Sequence, residues 1–193
     1  KGSEGGTGAA PPEFSNSVGT PLVEGLALVD DLLRGAGLRQ SVKIICSGKV
    51  TSGFGIVRNL SLGADLCNSA RGMMFALGCI QALKCGTNKC PTGITTQDPE
   101  LMSGLHVPSK KDRVQRFQDK TVHTAREIIS AAGVSDPKDL SRDMIKLRTD
   151  GVNSSSYADL FPPCKAGSLL EGTAPKPLQS VWQAGLAMLA SAK

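Results

Sequence analysis

The segment GCIQALKCGTNKCPTG contains three cysteines within twelve residues, Cys79, Cys85 and Cys90. Five residues separate the first two and four separate the last two, so the spacing differs from the C-x2-C of zinc ribbons and thioredoxin-like motifs. Asn88 and Gly93 indicate a loop, on which three thiolates can converge with little movement of the backbone. Because thiolates are soft ligands, the segment favours an iron–sulfur or zinc centre.

Pro91 directly follows Cys90, as in the Cys-Pro end of bacterial ferredoxin motifs. Two alternatives stay open on spacing alone: three buried thiols that act as small hydrophobic side chains, and a zinc site that a further residue completes. Cys46, Cys67 and Cys164 are isolated, which favours reduced thiols over a disulfide framework. We expect these three to be structural.

Two further motifs have the composition of an anion-binding corner. The first comprises Ser47, Gly48 and Lys49, and the second comprises Ser69, Ala70 and Arg71. Each follows a predicted strand, where backbone N–H groups and a helix N-terminus bind anions well. In (β/α)8 barrels the loops after the seventh and eighth strands often form a phosphate site. The sequence therefore suggests phosphate binding here, with ordinary turns as the alternative.

The chain opens with KGSEGGTGAAPP, whose glycines exclude a regular element and let the backbone approach a ligand closely. Gly5, Gly6 and Thr7 are candidate ligand contacts on this ground, and a plain tight turn is the alternative. His123 is expected on the surface of a long helix, and Asp65 has no evident partner. No nucleophile–base arrangement emerges, so the catalytic residues stay unknown.

Composition excludes several classes of protein. The chain has 193 residues, a formal net charge of +5 and only 4% aromatic residues. Its lysines and arginines are scattered, which argues against nucleic-acid binding and favours a solvated basic surface or a surface for an acidic protein partner. No apolar run reaches the roughly 18 residues of a membrane span, and no signal peptide is visible. A start at Lys1 with a glycine-rich turn suggests a piece of a larger protein.

The elements that must position these residues alternate between strand and helix. Helices are predicted at 20–35, 54–62, 71–84, 110–132, 139–147 and 178–192, and strands at 42–46 and 64–68. The segment VKIIC is β-branched and apolar except for Lys43, which predicts a largely buried strand. Strand, glycine-rich loop and helix in repeated order predict parallel βα units and an α/β fold.

Four segments, GSEGGTGAAP, SGKVTSGF, GADLCNSARG and GCIQALKCGTNKCPTGITTQD, closely resemble the FMN-binding synthase domain of glutamate synthases. The likeness is closer to the shorter, stand-alone glutamate synthase-like FMN proteins and runs from about residue 2 to 148. It implies the C-terminal part of a (β/α)8 TIM barrel followed by a mostly helical tail. The last βα units would fill 1–98, with the iron–sulfur loop at 79–90, a helical extension at 99–150 and a loop-rich tail with a terminal helix at 151–193.

The same resemblance implies the cofactors. The two corner motifs, together with Gly5, Gly6 and Thr7, fall where the family holds FMN, and strands 42–46 and 64–68 become strands seven and eight. The three clustered cysteines fall on the ligands of a 3Fe-4S cluster. We expect the two sites to lie within about 20 Å, since one predicted helix of some thirteen residues joins them at 1.5 Å per residue.

The activity implied is reduction of 2-iminoglutarate, formed from 2-oxoglutarate and ammonia or glutamine nitrogen, to L-glutamate. The electron donor would be ferredoxin or an NAD(P)H-oxidising subunit, in the cytoplasm or a plastid, with no nucleic acid or membrane partner. An N-methylglutamate synthase-type relative and a non-catalytic iron–sulfur or zinc module are the alternatives. Strands one to six are not in this sequence, so we expect the fragment alone to be marginally stable and inactive.

Overall fold

The computed structural model describes residues 10–191 of the chain, and the fold is mixed α/β. The N-terminal part contains α1 (Pro12–Asn16), α2 (Leu22–Gly35), β1 (Ile45–Ser47), α3 (Gly53–Ser61), β2 (Leu66–Asn68) and α4 (Ala70–Leu77). The C-terminal part contains α5 (Pro99–Met102), α6 (Val107–Ala131), a 3-10 turn (Pro137–Asp139), β3 (Lys146–Arg148), β4 (Ser154–Ser156), α7 (Tyr157–Leu160) and α8 (Lys176–Ser191). Gly5, Gly6 and Thr7 lie outside the described residues, so their role stays a prediction.

The four predicted helices that correspond to α2, α3, α6 and α8 are confirmed, with ends shifted by three residues or fewer. Both predicted strands are confirmed as well, and β1 and β2 form a two-stranded sheet. Both begin later than predicted. Before β1, backbone groups form hydrogen bonds with side chains instead of with a neighbouring strand. The carbonyl of Val42 accepts from Arg39 at 2.9 Å, and the N–H of Ile44 donates to Asp65 at 2.9 Å. Those two backbone groups are therefore already hydrogen-bonded to side chains and do not take part in the sheet.

The predicted helix at 71–84 is wrong in its second half, because α4 ends at Leu77. Gly78 adopts a left-handed φ of +108°, and the N–H of Cys79 reaches back to the carbonyl of Met74 at 2.9 Å. This is the Schellman arrangement that closes helices. Gln81 also has a positive φ, +58°, so the helix does not resume. Cys79 thus follows the helix and begins the loop.

The predicted helix at 139–147 is wrong. After the 3-10 turn the chain forms an antiparallel hairpin in which Lys146 pairs with Ser156 and Arg148 with Ser154. The Asp150 carboxylate accepts from the N–H groups of Val152 and Asn153, at 3.0 and 2.6 Å, and so fixes the turn. The Asp-Gly dipeptide at 150–151 is a hairpin signal that the helical interpretation overlooked.

The described residues fall into two compact units. The first unit takes in the described chain up to Leu22 together with Ser47–Val57 and Cys67–Pro137. The second unit takes in Val23–Cys46, Arg58–Leu66 and the chain from Lys138 onward. Both candidate corners and all three clustered cysteines therefore belong to the first unit.

In the first unit, α6 is the support against which the site elements pack. A Cβ on Gly72 of α4 would come within 2.9 Å of the Phe117 ring and 2.7 Å of the Ser69 hydroxyl. A Cβ on Gly53, at the start of α3, would come within 2.6 Å of the backbone nitrogen of Ala125. Glycine at these two positions lets both helices approach α6 closely. Buried side chains complete this packing, among them Val50, Val57, Ala76, Ala125 and Ile129.

In the second unit, Arg142 holds the C-terminal segment to α2. Its side chain is 5% exposed and donates to Asp30 at 3.0 Å, to both carboxylate oxygens of Asp31, and to the carbonyl of Phe161 at 2.8 Å. An apolar cluster of Cys164, Leu169, Ala174 and Leu178 packs beside it against Leu28, Leu32 and Trp182. Cys164 and Cys46 are buried and Cys67 is partly buried, and the structural role expected of these three thiols stays a prediction.

Asp30 is 1% exposed and also accepts from Arg34 and Arg39, each at 2.7 Å. Arg39 continues to Asp65 at 2.9 Å, and Lys43 reaches the other oxygen of Asp65 at 3.2 Å. The expectation that Asp65 is unpaired is therefore wrong, because its partners lie 22 and 26 residues earlier in the chain. Burial alone would raise the pKa of Asp65, but the Ile44 N–H, Lys43 and Arg39 together hold that pKa below its usual range.

Among residues 10–191, none of the helices combines the length and the hydropathy that crossing a bilayer requires.

Candidate cofactor site

Helix α4 carries one candidate site at each of its ends. Ala70 and Arg71 open the helix, and Gly78 and Cys79 follow it. The helix has eight residues, so its axis is about 12 Å long at 1.5 Å per residue. The helix that joins the two candidate sites is therefore shorter than the predicted one of some thirteen residues, and their expected separation of within about 20 Å stays a prediction.

A hydrogen bond joins the second corner motif to Val50, the residue that follows the first corner motif. The hydroxyl of Ser69 donates to the carbonyl of Val50 at 2.6 Å, which ties the start of α4 to the chain that leaves β1. Ser47 is the last residue of β1, whereas the sequence suggested that it belongs to the loop after the strand. Gly48 is buried, while Lys49 is exposed and has a left-handed φ of +47°. The backbone therefore turns sharply at the predicted phosphate corner.

The start of α4 has unsatisfied donors and positive charge. Ser69 makes no capping bond with its side chain, and the first turn contains no acidic residue. The side chains of Lys49 and Arg71 form no hydrogen bond or ion pair within residues 10–191. Free N–H groups, the positive end of the helix dipole and two uncompensated cations together suit an anion such as a phosphate.

The backbone of the cysteine loop is held in place at both ends. Cys79 is fixed by the bond from its N–H to Met74, and its sulfur accepts from the N–H of Gln81 at 3.5 Å. Asn88, with a φ of +61°, closes the other end, because its side-chain oxygen accepts from the N–H of Gln97 at 2.6 Å. Its carbonyl accepts from the hydroxyl of Thr96, also at 2.6 Å. The segment 79–97 is therefore anchored to α4 at Cys79 and closed on itself between Asn88 and Gln97, and all three thiols lie within it.

Cys90 is the most buried of the three thiols and is predisposed to be a thiolate. The Thr92 hydroxyl lies 3.3 Å from its sulfur, and this contact, followed by the N–H of Thr95, lowers the pKa of Cys90 to about 6 against the opposing effect of burial. The buried Thr95 hydroxyl also lowers the pKa of Cys90, but by less. It does not meet the geometry of a hydrogen bond to any described residue. A thiolate at neutral pH is the form that binds metals.

An open pocket of about 430 Å³ lies beside Cys85, and Asn88, Thr95 and Thr96 contribute to its wall. All six cysteines are free thiols. Within residues 10–191, no three His, Cys, Asp or Glu side chains converge closely enough for one metal ion. The loop therefore carries free thiols beside an open pocket, and soft donors of this kind suit an iron–sulfur or a zinc centre.

Sequence reasoning found the three cysteines but not the threonines around Cys90. A hydroxyl two residues after a cysteine is a weak signal, and only the turn after Pro91 brings it to the sulfur. The histidines add nothing to the site. His123 is 72% exposed beside Glu127, which confirms the surface prediction, and His106 contacts Ser109 at the start of α6.

Comparison with known proteins identifies the class to which this fold and site belong. The family described as a conserved region in glutamate synthase matches residues 1–135. The chain belongs to the glutamate synthase family.

Individual relatives agree with this assignment. The chain is 43% identical over 149 residues to the glutamate synthase large subunit-like protein of Bacillus subtilis, which covers 77% of this chain and 28% of that protein. It is 37% identical over 152 residues to the archaeal glutamate synthase (NADPH) of Methanocaldococcus jannaschii, covering 79% and 30% respectively. The large chain of the Bacillus subtilis glutamate synthase (NADPH) is 31% identical over 157 residues, 81% of this chain and 10% of that protein. The chain thus spans under a third of the length of these relatives.

Proposed function

We propose that this chain is part of a glutamate synthase-type oxidoreductase that reduces 2-iminoglutarate, formed from 2-oxoglutarate and ammonia, to L-glutamate. The observation that carries the proposal is the arrangement around α4, with a cationic, uncapped N-terminus at one end and a loop of three free thiols at the other. A phosphate-bearing redox cofactor and a sulfur-ligated electron centre would then lie at opposite ends of one short helix. Membership of the family supports the same function.

Two cofactors belong to this proposal. Ser47, Gly48, Lys49, Ser69, Ala70 and Arg71 would hold the phosphate of FMN, with Gly5, Gly6 and Thr7 near the flavin. Cys79, Cys85 and Cys90 would bind a 3Fe-4S cluster. When bound, the flavin supplies hydride transfer and the cluster supplies single electrons to it. The protein would bind the phosphate with N–H groups and cations, and would hold the three thiolates on an anchored loop.

The larger fold proposed is a (β/α)8 barrel in which β1 and β2 are the seventh and eighth strands. The order strand, loop, helix, strand, loop, helix from β1 to α4 supports this proposal. So does the position of both corners directly after strands, where barrels of this type bind phosphate. Ile45 and Leu66 are 57% and 58% exposed, as expected of strands with one face that further parts of a barrel would cover.

The electron donor is proposed to be reduced ferredoxin or an NAD(P)H-oxidising subunit, in the cytoplasm or a plastid. Lys84 and Lys89 lie on the cysteine loop itself and are exposed. A Cβ on Gly78, directly before Cys79, would come within 2.8 Å of the Lys110 ammonium group, so a third cation lies beside the loop. A positive surface around an electron entry point suits an acidic donor protein, because electrostatic steering speeds association.

The test is turnover by the whole protein, purified with its cofactors under anaerobic conditions. With 2-oxoglutarate, ammonia and a reduced donor, we expect L-glutamate to form in step with oxidation of the donor. Supplying methylamine in place of ammonia distinguishes the N-methylglutamate alternative, which predicts N-methylglutamate as the preferred product. A flavin that is reduced by the donor but reoxidised by neither amine would contradict the proposal.

A further inference from the structure

Within the cysteine loop, one side-chain hydroxyl forms a hydrogen bond to a cysteine sulfur. The Thr92 hydroxyl lies 3.3 Å from the sulfur of Cys90 and makes no other hydrogen bond within the part of the chain that the structure describes. Cys90 is 9% exposed, and Thr92 is partly buried. Little water therefore competes for this contact, and hydrogen bonds are stronger in such surroundings.

The turn that holds Thr92 is closed by a backbone hydrogen bond and packs closely on α5. The N–H of Gly93 donates to the carbonyl of Cys90 at 3.2 Å, closing a turn around Pro91 and Thr92. Gly93 has a left-handed φ of +74°, and the carbonyl of Leu101 occupies the space that a Cβ would need. The backbone of the turn therefore brings Thr92 next to Cys90, within hydrogen-bonding reach of its sulfur.

Ligation would fix the direction of this bond. A cysteine bound to iron has no S–H, so only the hydroxyl can donate. A donor to the sulfur stabilises negative charge there, and hydrogen bonds to cluster sulfurs are among the factors that set the reduction potential. The reduced cluster carries one more negative charge than the oxidised cluster. The bond is therefore stronger in the reduced state and raises the potential.

We propose that Thr92 is a positioning residue whose hydroxyl orients the Cys90 sulfur and raises the reduction potential of the cluster that this sulfur binds. The inference rests on the proposed function, because it requires the cluster. It assigns a role to a residue outside the sets proposed to hold FMN and to ligate the cluster. Its effect is on the ease with which electrons enter the cluster.

The experiment is a potentiometric titration of the holoprotein followed by EPR, with three variants. Thr92→Val keeps the shape of the side chain and removes the donor, so we expect the reduction equilibrium to shift about tenfold toward the oxidised cluster, which is about 59 mV for a one-electron couple. Thr92→Ser keeps the donor and should restore most of the potential. Thr87→Val is the matched control, since that hydroxyl, on the same loop, bonds the carbonyl of Lys84 at 2.9 Å and no sulfur.

Each outcome decides the matter. A Thr92→Val protein with the wild-type potential overturns the inference while leaving the proposed function intact. Loss of the cluster in Thr92→Val but not in Thr92→Ser supports a role for the hydroxyl in holding Cys90. An equal loss or an equal shift in both variants overturns it, because side-chain shape would then be responsible. A wild-type holoprotein without iron overturns both the inference and the proposed function.

Discussion

The cysteine loop of the first unit and the charge cluster around Asp30 in the second unit differ in how far their charged groups are paired. In the charge cluster, Asp30 is almost fully buried and has three arginine partners, Arg34, Arg39 and Arg142. In the loop and at the start of α4, the described structure leaves groups uncompensated. The Cys90 thiol favours its anionic form, and Arg71 makes no ion pair with residues 10–191.

This difference separates structural from ligand-binding polarity. Buried charge is tolerated in a structural role when partners within the same unit neutralise it, as around Asp30. Groups that lack partners raise the free energy of the folded chain unless a ligand satisfies them. The charges around Asp30 are therefore neutralised within the second unit, whereas the first unit has cations at the start of α4 and a thiol at Cys90 that a ligand could satisfy. We therefore expect substitutions in the first region to reduce cofactor binding, and substitutions in the second to reduce the free energy of unfolding.

The largest expected effect is loss of the cluster in Cys90→Ser. A serine oxygen is a poor ligand for iron in a thiolate site, so we expect the iron content and the visible iron–sulfur absorbance of the holoprotein to fall to background. Cys164→Ser is the matched control, because Cys164 is buried in the second unit, where its sulfur lies 3.0 Å from the Ser168 hydroxyl. Iron retained in Cys90→Ser, or lost in Cys164→Ser, would break the distinction between the regions.

The next effect is on folding and involves Arg142. Replacing it with methionine leaves a buried carboxylate pair short of a partner, and breaking a buried ion pair destabilises by about 3 kcal/mol or more. Denaturant titration should show this loss, while iron and flavin per folded molecule stay unchanged. Arg148→Met is the control, since Arg148 is exposed on β3 and should change the free energy of unfolding by no more than about 0.5 kcal/mol. Equal stability of the two variants would contradict the role of Arg142.

A smaller effect is expected on flavin affinity from Arg71→Ala. A hydrogen bond to a charged group contributes about 1.5–3 kcal/mol, so FMN should bind roughly ten- to a hundredfold more weakly. The measurement is recovery of flavin fluorescence on dissociation. Arg126→Ala removes the same charge from an exposed position on α6 and should leave the affinity unchanged. If both variants weaken FMN equally, the effect is one of net charge and not of the corner at α4.

The smallest expected effect is a dependence on pH through Asp65. Its pKa is lowered in the folded state, so its contribution is fully present above the unfolded value of about 3.9 and is lost as the pH falls through the folded value. The difference in free energy of unfolding between wild type and Asp65→Asn should therefore shrink in acid. We expect a difference of about 1 kcal/mol near neutral pH. A difference that grows in acid would contradict the direction of this shift.

Local patterns in the sequence predicted the main helices, the two strands and the loop that carries the cysteines. They failed where distant residues decide the structure, and also where a local turn signal was overlooked, as at Asp150 and Gly151. Nothing near Asp65 reveals Arg39, and Arg142 lies more than a hundred residues from Asp31. The end of α4 was missed because the apolar pattern continues past Gly78, while the left-handed conformation there stops the helix. Thr92 was missed for a related reason, since only the turn brings its hydroxyl to the sulfur.

We propose that the loop of Cys79, Cys85 and Cys90 binds an iron–sulfur cluster. This is tested by measuring iron and acid-labile sulfide per polypeptide in the anaerobically purified whole protein, together with EPR of the oxidised form. We expect three irons, four sulfides and the signal of a paramagnetic three-iron cluster, all lost together in Cys90→Ser. A colourless protein with one bound zinc, or one whose three cysteines are all freely alkylated in the purified holoprotein, would contradict it.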